Sequence, residues 1–399
     1  MAGPRTLRLR EYDRALSVEL TPEEVRVLRE SRAELKVLAT GIAGRYDIET
    51  AQHVGTIVGS SLRVLIEPKI SMSRALYLVG YATEAMRIGA VTQLGQDADL
   101  LSAMQVLFAE ALDRALYGGL VRDYRGHEEA LVAPRGRIGI EALVTRRFGV
   151  FPPVDCAFDE YTVDTSPNRR LLAAARRMTR GMLGRSVAGE RLRGLIGRFE
   201  GVAEPAFDPR HLPPVRLDRR AERYRPAVAF ADLILRNASV ELHHGYTDAI
   251  GFLVNMNVVF ENFVVEALRR RLAVAGTRWT HHPAGLFLDE GRAFAVEPDA
   301  LWTTADGRPL LVLDAKYKTT SQGVIQDAYQ MLAYCTALGL SSGVLVYAST
   351  TPHTHRVRNT ATDIITLGLD PSGEIPEVER AIDELAERLR TLVPGWAVA

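Results

Sequence analysis

Two short segments near the C-terminal end constrain the fold of this chain most. One is Pro298-Asp299, and the other is the apolar run 310–313 followed by Asp314 and Lys316. The apolar run is typical of a buried strand, and Asp306-Gly307 before it is typical of a hairpin turn. Side chains alternate along a strand, so Asp314 and Lys316 should share one face. If the strand that holds Asp299 pairs with this one, two carboxylates and an ammonium meet at a sheet edge.

This combination suits metal-assisted hydrolysis of a phosphodiester. Carboxylate oxygens, here from Asp299 and Asp314, are ligands that Mg²⁺ prefers. A neighbouring lysine, here Lys316, can orient a water or help to deprotonate it beside a phosphate. The competing interpretation is a strand end with a solvated ion pair, because Asp-x-Lys is common by chance.

Lysine usage favours the chemical interpretation. The chain has only four lysines among 49 basic residues, and two of them, Lys316 and Lys318, follow Asp314 closely. Arginine never deprotonates, whereas lysine carries a compact charge whose pKa can fall when it is buried. A site that needs lysine would resist the replacement by arginine seen in the rest of the chain.

The length of 399 residues predicts two or three domains. The helix and strand patterns along the chain predict a mixed α+β and α/β fold. We expect a mixed β/α segment over residues 1–149, a helical segment over 150–229 and an α/β nuclease core over 230–399. In the first segment, Thr21-Pro22-Glu23-Glu24 predicts a capping box, residues 54–70 a hairpin, and residues 71–86 and 97–116 helices. In the third, we expect a helix over 247–272, a strand meander through residue 317, a helix over 323–338 and further strands.

Composition excludes several classes of protein. The formal net charge is zero, so binding to nucleic acid would need local basic patches. The two cysteines, Cys156 and Cys335, form no metal-binding spacing and no disulfide framework, which fits a reducing cytoplasm. We find no signal peptide over residues 1–10, no stretch of membrane-spanning length and no Walker motif, so any nucleotide would be bound by another chain.

Two helical features have open interpretations. Arginines crowd the predicted helices 168–182 and 186–199, and this basic face could follow a phosphate backbone or could be a solvated surface. On the predicted helix 323–338, Asp327, Gln330 and Tyr334 share one face. They could present polar groups to DNA or to a metal-bound water, or form a half-buried amphipathic face.

Glu261, among apolar neighbours, could be a third acidic ligand or an exposed structural residue.

The third segment resembles the PD-(D/E)xK nuclease superfamily, in the branch with a Gln-x-x-x-Tyr helix. The whole chain resembles the McrC family, the nuclease subunits of McrBC modification-dependent restriction systems. Besides the acidic and lysine residues above, the likeness rests on an ordered set of motifs: Val54-Gly55-Thr56-Ile57, Ile66-Glu67-Pro68-Lys69-Ile70, Arg135-Gly136-Arg137-Ile138, the run 156–165, Asn168-Arg169-Arg170-Leu171 and Phe260-Glu261.

The resemblance implies a partner, a substrate and a site. McrC proteins bind McrB, a AAA+ GTPase that recognises methylated cytosine and assembles into hexamers, and they cut double-stranded DNA. By position, Asp299, Asp314 and Lys316 match the catalytic acid, acid and lysine. The N-terminal segment matches the partner-docking domain.

We therefore expect Asp299 and Asp314 to hold Mg²⁺, with the Ala315 carbonyl and Glu261 as candidate further ligands. Lys316 would position the attacking water, and Gln330 and Tyr334 would complete the catalytic face. Two alternatives stay open. One is an independent RecB-like repair nuclease, and the other is a docking subunit that activates its partner without cutting.

Overall fold

The computed structural model describes residues 4–31, 33–82, 100–140, 152–180, 186–204, 207–208, 211–237, 242–244, 247–272, 276–318, 324–349 and 351–393. These residues form nine α-helices and nineteen strands. The helices are α1 (Pro22–Glu30), α2 (Met72–Ala82), α3 (Leu100–Ala115), α4 (Ser166–Thr179), α5 (Val187–Ile196), α6 (Arg225–Asn237), α7 (Met256–Leu272), α8 (Val324–Leu338) and α9 (Ile375–Leu392).

The strands divide among five sheets. They are β1 (Arg5–Arg10), β2 (Arg14–Glu19), β3 (Lys36–Ala39), β4 (Arg45–Glu49), β5 (His53–Val58), β6 (Leu62–Glu67), β7 (Asp123–Leu131), β8 (Arg137–Ile138), β9 (Val154–Thr162), β10 (Leu242–His244), β11 (Thr247–Asn255), β12 (Thr277–His281), β13 (Leu286–Phe287), β14 (Ala295–Val296), β15 (Ala300–Thr304), β16 (Pro309–Lys316), β17 (Ser342–Tyr347), β18 (His353–Arg356) and β19 (Asp363–Gly368).

The chain divides into two compact units, residues 1–103 with 239–399 and residues 104–238. This division differs from the three segments expected from the sequence, because strands far apart in the chain pair within the first unit. A partner-docking role for the N-terminal segment stays a prediction.

The N-terminal part of the first unit follows the sequence expectation closely. Thr21 and Glu24 cap α1 reciprocally, which confirms the capping box. Strands β5 and β6 pair antiparallel and confirm the hairpin. Helices α2 and α3 lie inside the ranges predicted for them, although residues 83–99 are outside the described part of the chain. The small sheet β2-β4-β3 was not predicted.

Strand β11 joins parts of the first unit that are distant in sequence. The sheet order is β1-β6-β5-β11-β10, and β11 pairs antiparallel with β5. The prediction of one helix over residues 247–272 was therefore wrong for its first nine residues, because pairing with β5 overrides local helix preference. The helix α7 begins at Met256, where the Asn255 side chain accepts a hydrogen bond from the Asn257 N–H at 3.0 Å.

A six-stranded sheet, ordered β12-β15-β16-β17-β19-β18, carries the two diagnostic segments. β15 and β16 form an antiparallel hairpin, and β16 and β17 are parallel strands connected through α8. The expected order of helix, meander, helix and strand is thus confirmed. β16 is an interior strand, so Asp314 lies near the end of a central strand of the sheet.

Helices cover both faces of β16. Val312 shares a buried apolar cluster with Met331, Tyr334 and Cys335 of α8. Tyr317, five residues later and therefore on the other face, contacts Phe260 of α7 with ring centroids 5.6 Å apart. The end of β16 is consequently held between two helices. This packing excludes water from most of the strand.

The second unit combines α4, α5, α6 and most of α3 with the sheet β7-β9-β8. The arginines of α4 and α5 are largely committed to partners within this unit: Arg169 pairs with Asp164, Arg176 with Glu204, and Arg191 with Asp113. Their pairing favours a structural interpretation of the basic helical face over a phosphate track. Both cysteines are buried and free.

Candidate active site

The β15–β16 register brings Asp299 and Asp314 together. Ala300 lies opposite Leu313, so the residue before the first and the residue after the second are neighbours across the hairpin. Asp299 Oδ2 accepts a hydrogen bond of 2.6 Å from the Ala315 N–H. Both aspartates are buried, at 4% and 1% exposure. The two carboxylates predicted from sequence therefore share one desolvated corner of the sheet.

Lys316 completes this group. Its Nζ lies 2.5 Å from Asp314 Oδ2, as expected for residues two apart on one face of a strand. Burial alone would lower the pKa of Lys316, but the negative charges of Asp314, Asp299 and Glu261 outweigh it, so the pKa lies above its usual value. The lysine is thus a protonated ammonium that can orient a water or a phosphate, rather than a base.

The carboxyl groups are held in an environment that disfavours their charge. Burial, followed by the charge of Asp299, raises the pKa of Asp314 to about 7. Burial and the nearby Glu261 likewise raise the pKa of Asp299. Carboxylates crowded in a low-dielectric site oppose one another's ionisation. A cation between them would relieve this cost.

Glu261 lies at this site. It is half-buried on α7, and burial raises its pKa while a hydrogen bond with Asp299 and the charge of Lys316 lower it. The structure thus brings Glu261 close to Asp299 and Lys316, instead of leaving it on an exposed helix face. Its role as a metal ligand stays a prediction.

The donor chemistry of the site fits Mg²⁺ in a two-carboxylate arrangement. Within the described ranges, no three His, Cys, Asp or Glu side chains are grouped so as to hold a metal ion. Mg²⁺ commonly takes one or two carboxylates and completes its shell with waters and substrate phosphates. Asp299 and Asp314 supply such a pair. The Ala315 N–H is used by Asp299, and a ligand role for the Ala315 carbonyl stays a prediction.

Tyr334 and Gln330 of α8 join the site differently from the sequence expectation. The Tyr334 hydroxyl donates to the Glu297 carbonyl at 3.0 Å and accepts from Gln330 Nε2 at 2.6 Å. Burial and the charges of Asp314 and Asp299 raise the pKa of Tyr334. This protonated hydroxyl holds the backbone two residues before Asp299, so its observed contacts are those of a positioning residue. Gln330 is exposed, and its contact with DNA or water stays a prediction.

The sequence did not reveal one ion pair beside the site. Lys318 Nζ lies 3.0 Å from each oxygen of Asp327, which also accepts a hydrogen bond of 3.0 Å from the Tyr347 hydroxyl. Asp327 is 5% exposed. The helical spacing of Asp327 with Gln330 placed it on the correct face. The pairing of Asp327 with Lys318, however, depends on the course of the backbone after β16.

A second contact that the sequence did not reveal links the end of β1 to the end of β16. The Tyr317 hydroxyl donates to Glu11 Oε1 at 3.0 Å, and the Lys69 N–H donates to the same oxygen at 2.7 Å. Glu11 is 1% exposed, and burial raises its pKa. The residue after Lys316 is therefore anchored by a carboxylate from the N-terminal segment. No local sequence pattern signals this pairing.

Comparisons with known proteins agree on one family. The family model described as McrBC 5-methylcytosine restriction system component matches residues 48–348. No protein with a curated description matches the chain. A solved structure, the refined half-complex from the tetradecameric assembly of Thermococcus gammatolerans McrB AAA+ hexamers with bound McrC, contains a chain with TM-score 0.53 and 17% identity, covering 96% of this chain and 100% of that one.

A second solved structure, the cryo-EM structure of the Thermococcus gammatolerans McrBC complex, contains a chain with 17% identity and a TM-score of 0.42, covering 68% of this chain and 89% of that one. At 17% identity, the similarity to the half-complex structure shows a shared fold alone. Across the described residues, none of the helices has the length and apolar character needed to span a membrane.

Proposed function

This chain belongs to the family of McrBC 5-methylcytosine restriction system components, and from that premise we propose that it is the McrC-like subunit, a Mg²⁺-dependent DNA endonuclease of the PD-(D/E)xK type. One observation carries the proposal. The two buried aspartates, Asp299 and Asp314, and the ammonium of Lys316 meet at the end of one hairpin, with the ammonium 2.5 Å from Asp314.

Each residue of the site has a defined task in this proposal. Asp299 and Asp314 hold the metal, and Lys316, itself held by Asp314, orients the attacking water beside the phosphate. The Ala315 N–H and the Tyr334 hydroxyl fix the position of Asp299. Bound Mg²⁺ would supply charge stabilisation at the phosphate and a more acidic water. The buried site keeps these groups in place before DNA arrives.

We also infer a partner and a substrate. The structural neighbour from Thermococcus gammatolerans is described with bound McrB AAA+ hexamers, and its fold is shared over nearly the whole chain. A hexameric McrB-like AAA+ GTPase is therefore the partner that we propose, with methylated double-stranded DNA as the substrate. The absence of a Walker motif in this chain agrees with GTP being bound by the partner.

The test is cleavage of methylated and unmethylated plasmid with Mg²⁺, with and without the AAA+ partner and GTP. Lys316→Ala should reduce cleavage about a hundredfold or more, because it removes a charged group that acts in the transition state. The matched control is Arg356→Ala, since Arg356 is an exposed basic residue of β18, in the same sheet, that lies 3.0 Å from Asp363. This variant should cut like the native protein.

Each other outcome has a meaning. A fully active Lys316→Ala protein would overturn the assignment of the site. Cutting without partner or nucleotide would favour the independent RecB-like nuclease. Stimulated GTP hydrolysis without any cutting would favour the activating subunit.

A further inference from the structure

We propose that the second compact unit carries a separate binding site for the DNA phosphate backbone. The inference rests on the proposed function, because it gives the same DNA a second contact on the chain. The site is a cleft of 790 Å³ between the start of β7, the start of α4, Phe207 and residues 213–221. Three aspartates and five arginines line the cleft. The arginines are Arg122, Arg125, Arg169, Arg216 and Arg220.

The aspartates of the cleft are already engaged. Arg169 and Arg125 both pair with Asp164, and their hydrogen bonds and charges lower the pKa of that carboxyl to about 2. Asp123 accepts a hydrogen bond from the Tyr124 N–H, and Asp218 accepts from two backbone N–H groups. The cleft nevertheless keeps a formal excess of two positive charges, because five arginines line it against three aspartates.

Three arginines of the cleft are free to bind an anion. Arg122, Arg216 and Arg220 are exposed, and within the described part of the chain none of their side chains forms an ion pair. In the same unit, by contrast, the arginines of α4 and α5 are largely paired with acids. Unpaired guanidinium groups concentrated in one concave surface are the expected footprint of a phosphate-binding site.

A buried hydroxyl in the cleft also lacks a partner. Thr165 is the N-cap of α4, yet its side chain makes no capping hydrogen bond and its Oγ1 has no hydrogen-bond partner. The residue is 8% exposed and lines the cleft. A buried polar atom without a partner costs free energy unless a ligand or water satisfies it. At the positive end of a fourteen-residue helix, the ligand that fits is an anion.

The size and aromatic content of the cleft favour a nucleic-acid chain over a free phosphate. Its volume exceeds what one phosphate ion fills. Tyr124, which lines it, is 70% exposed and packs against the 51% exposed Tyr161, with ring centroids 5.1 Å apart. Exposed rings beside a basic groove are typical of surfaces that contact nucleic acid, where they stack on bases or sugars.

The test measures binding without cutting. Full-length protein is titrated into a short fluorescent DNA duplex without divalent cation, and anisotropy is followed at several salt concentrations. The double variant Arg216→Ala/Arg220→Ala should weaken binding about tenfold and reduce the slope of log K against log salt by about two. The matched control is Arg191→Ala/Arg193→Ala on α5, with the same loss of charge in the same unit. It should change binding less than about twofold.

A third variant separates ligand binding from structure. Thr165→Val removes the hydroxyl while keeping the side-chain shape, and it breaks no hydrogen bond in the protein. It should leave the melting temperature unchanged or higher, and yet weaken DNA binding. If the cleft and control variants lose DNA affinity equally, or if both bind DNA like the native protein, the cleft is not the DNA-binding site. Competition by GTP alone in the native protein, lost in the cleft variant, would overturn the choice of DNA as ligand.

The two proposals fail in different ways. If the cleft is wrong, binding is unchanged in its variants while Lys316-dependent cutting remains. If the nuclease assignment is wrong, cutting is absent or independent of Lys316 while cleft-dependent binding remains.

Discussion

Asp314 is a carboxylate that folding places where its charge is unfavourable. Its pKa rises to about 7 in the folded protein, mainly through burial and then through the charge of Asp299. An acid whose folded pKa lies above its unfolded pKa, about 3.9 for aspartate, contributes stability at low pH that is lost as pH rises between the two values. Without a cation, the site therefore destabilises the folded protein at neutral pH and above.

Replacing this charge should stabilise the metal-free protein. We expect Asp314→Asn to raise the free energy of unfolding by on the order of 2 kcal/mol near pH 8, and to have little effect near pH 4, where the native carboxyl is also neutral. Urea denaturation at several pH values, with a chelator present, measures this difference. Cleavage should be lost in the same variant.

The control for this prediction is Asp47→Asn. A hydrogen bond from the Ser17 N–H and one from Arg14 lower the pKa of Asp47, so its charged form is favoured in the fold. Its replacement should not stabilise the protein at any pH. A destabilised Asp314→Asn protein near pH 8 would show that Lys316 outweighs burial at this site.

The pairing of β5 with β11 depends on one glycine. Gly55 lies opposite Leu253 with φ +141°, and a Cβ at this position would lie 2.1 Å from the Phe252 carbonyl oxygen. A side chain is therefore excluded both by the backbone conformation and by the neighbouring strand. This explains the glycine of the Val54-Gly55-Thr56-Ile57 motif in physical terms.

Gly55→Ala should consequently destabilise the first compact unit by roughly 3 kcal/mol or more. The matched control is Gly41→Ala, because a Cβ there would meet nothing within 4 Å. Thermal unfolding of both variants checks the prediction. Equal melting temperatures would mean that β11 can shift away from β5 at little cost.

Local patterns predicted the elements whose own sequence determines them. Each of three elements has a signal that lies within a few residues of sequence. They are the turn residues Asp306-Gly307, the apolar run of strand β16 and the helical spacing of apolar residues in α8. Local patterns predict helix where β11 lies, because the conformation of β11 is set by β5, which is far away in the sequence. The short sheet β2-β4-β3 was missed because its strands have many exposed residues and weak alternation.

The candidate site divides in the same way. Spacing along one strand predicted the contact of Asp314 with Lys316, and hairpin pairing predicted Asp299 beside them. The anchoring of Tyr317 by Glu11 joins residues 306 positions apart, so no local window could contain it. Helical spacing placed Tyr334 on the correct face. Its hydrogen bond to the Glu297 carbonyl, however, depends on where Glu297 lies in the folded protein.

The first compact unit is assembled from both ends of the chain. Residues 1–103 and 239–399 belong together, and buried side chains of β11 such as Leu253 share a core with Ile57 and Val64. A C-terminal fragment of residues 239–399 would expose this apolar surface and the unpaired edge of β11. The residues of the candidate site therefore depend on the N-terminal segment for a stable scaffold.

We expect the 239–399 fragment to aggregate when produced alone and to become soluble when residues 1–103 are produced with it. Solubility and size-exclusion profiles of the separate and combined fragments measure this. The fragment of residues 100–238, which retains all of α3, should remain soluble by itself. A folded, monomeric 239–399 fragment would contradict the dependence.

The pairing of β5 with β11 also orders events during synthesis of the chain. The ribosome makes β5 early and must then produce all 135 residues of the second unit, 104–238, before β11 exists. Residues 59–246 separate the two strands, and at about 5–20 residues per second this delay is roughly 9 to 38 seconds. Throughout it, Asp299 and Asp314 have not yet been translated and β5 lacks its neighbour. The candidate site is therefore complete only after β16 has been translated, so products truncated before Lys316 lack part of it.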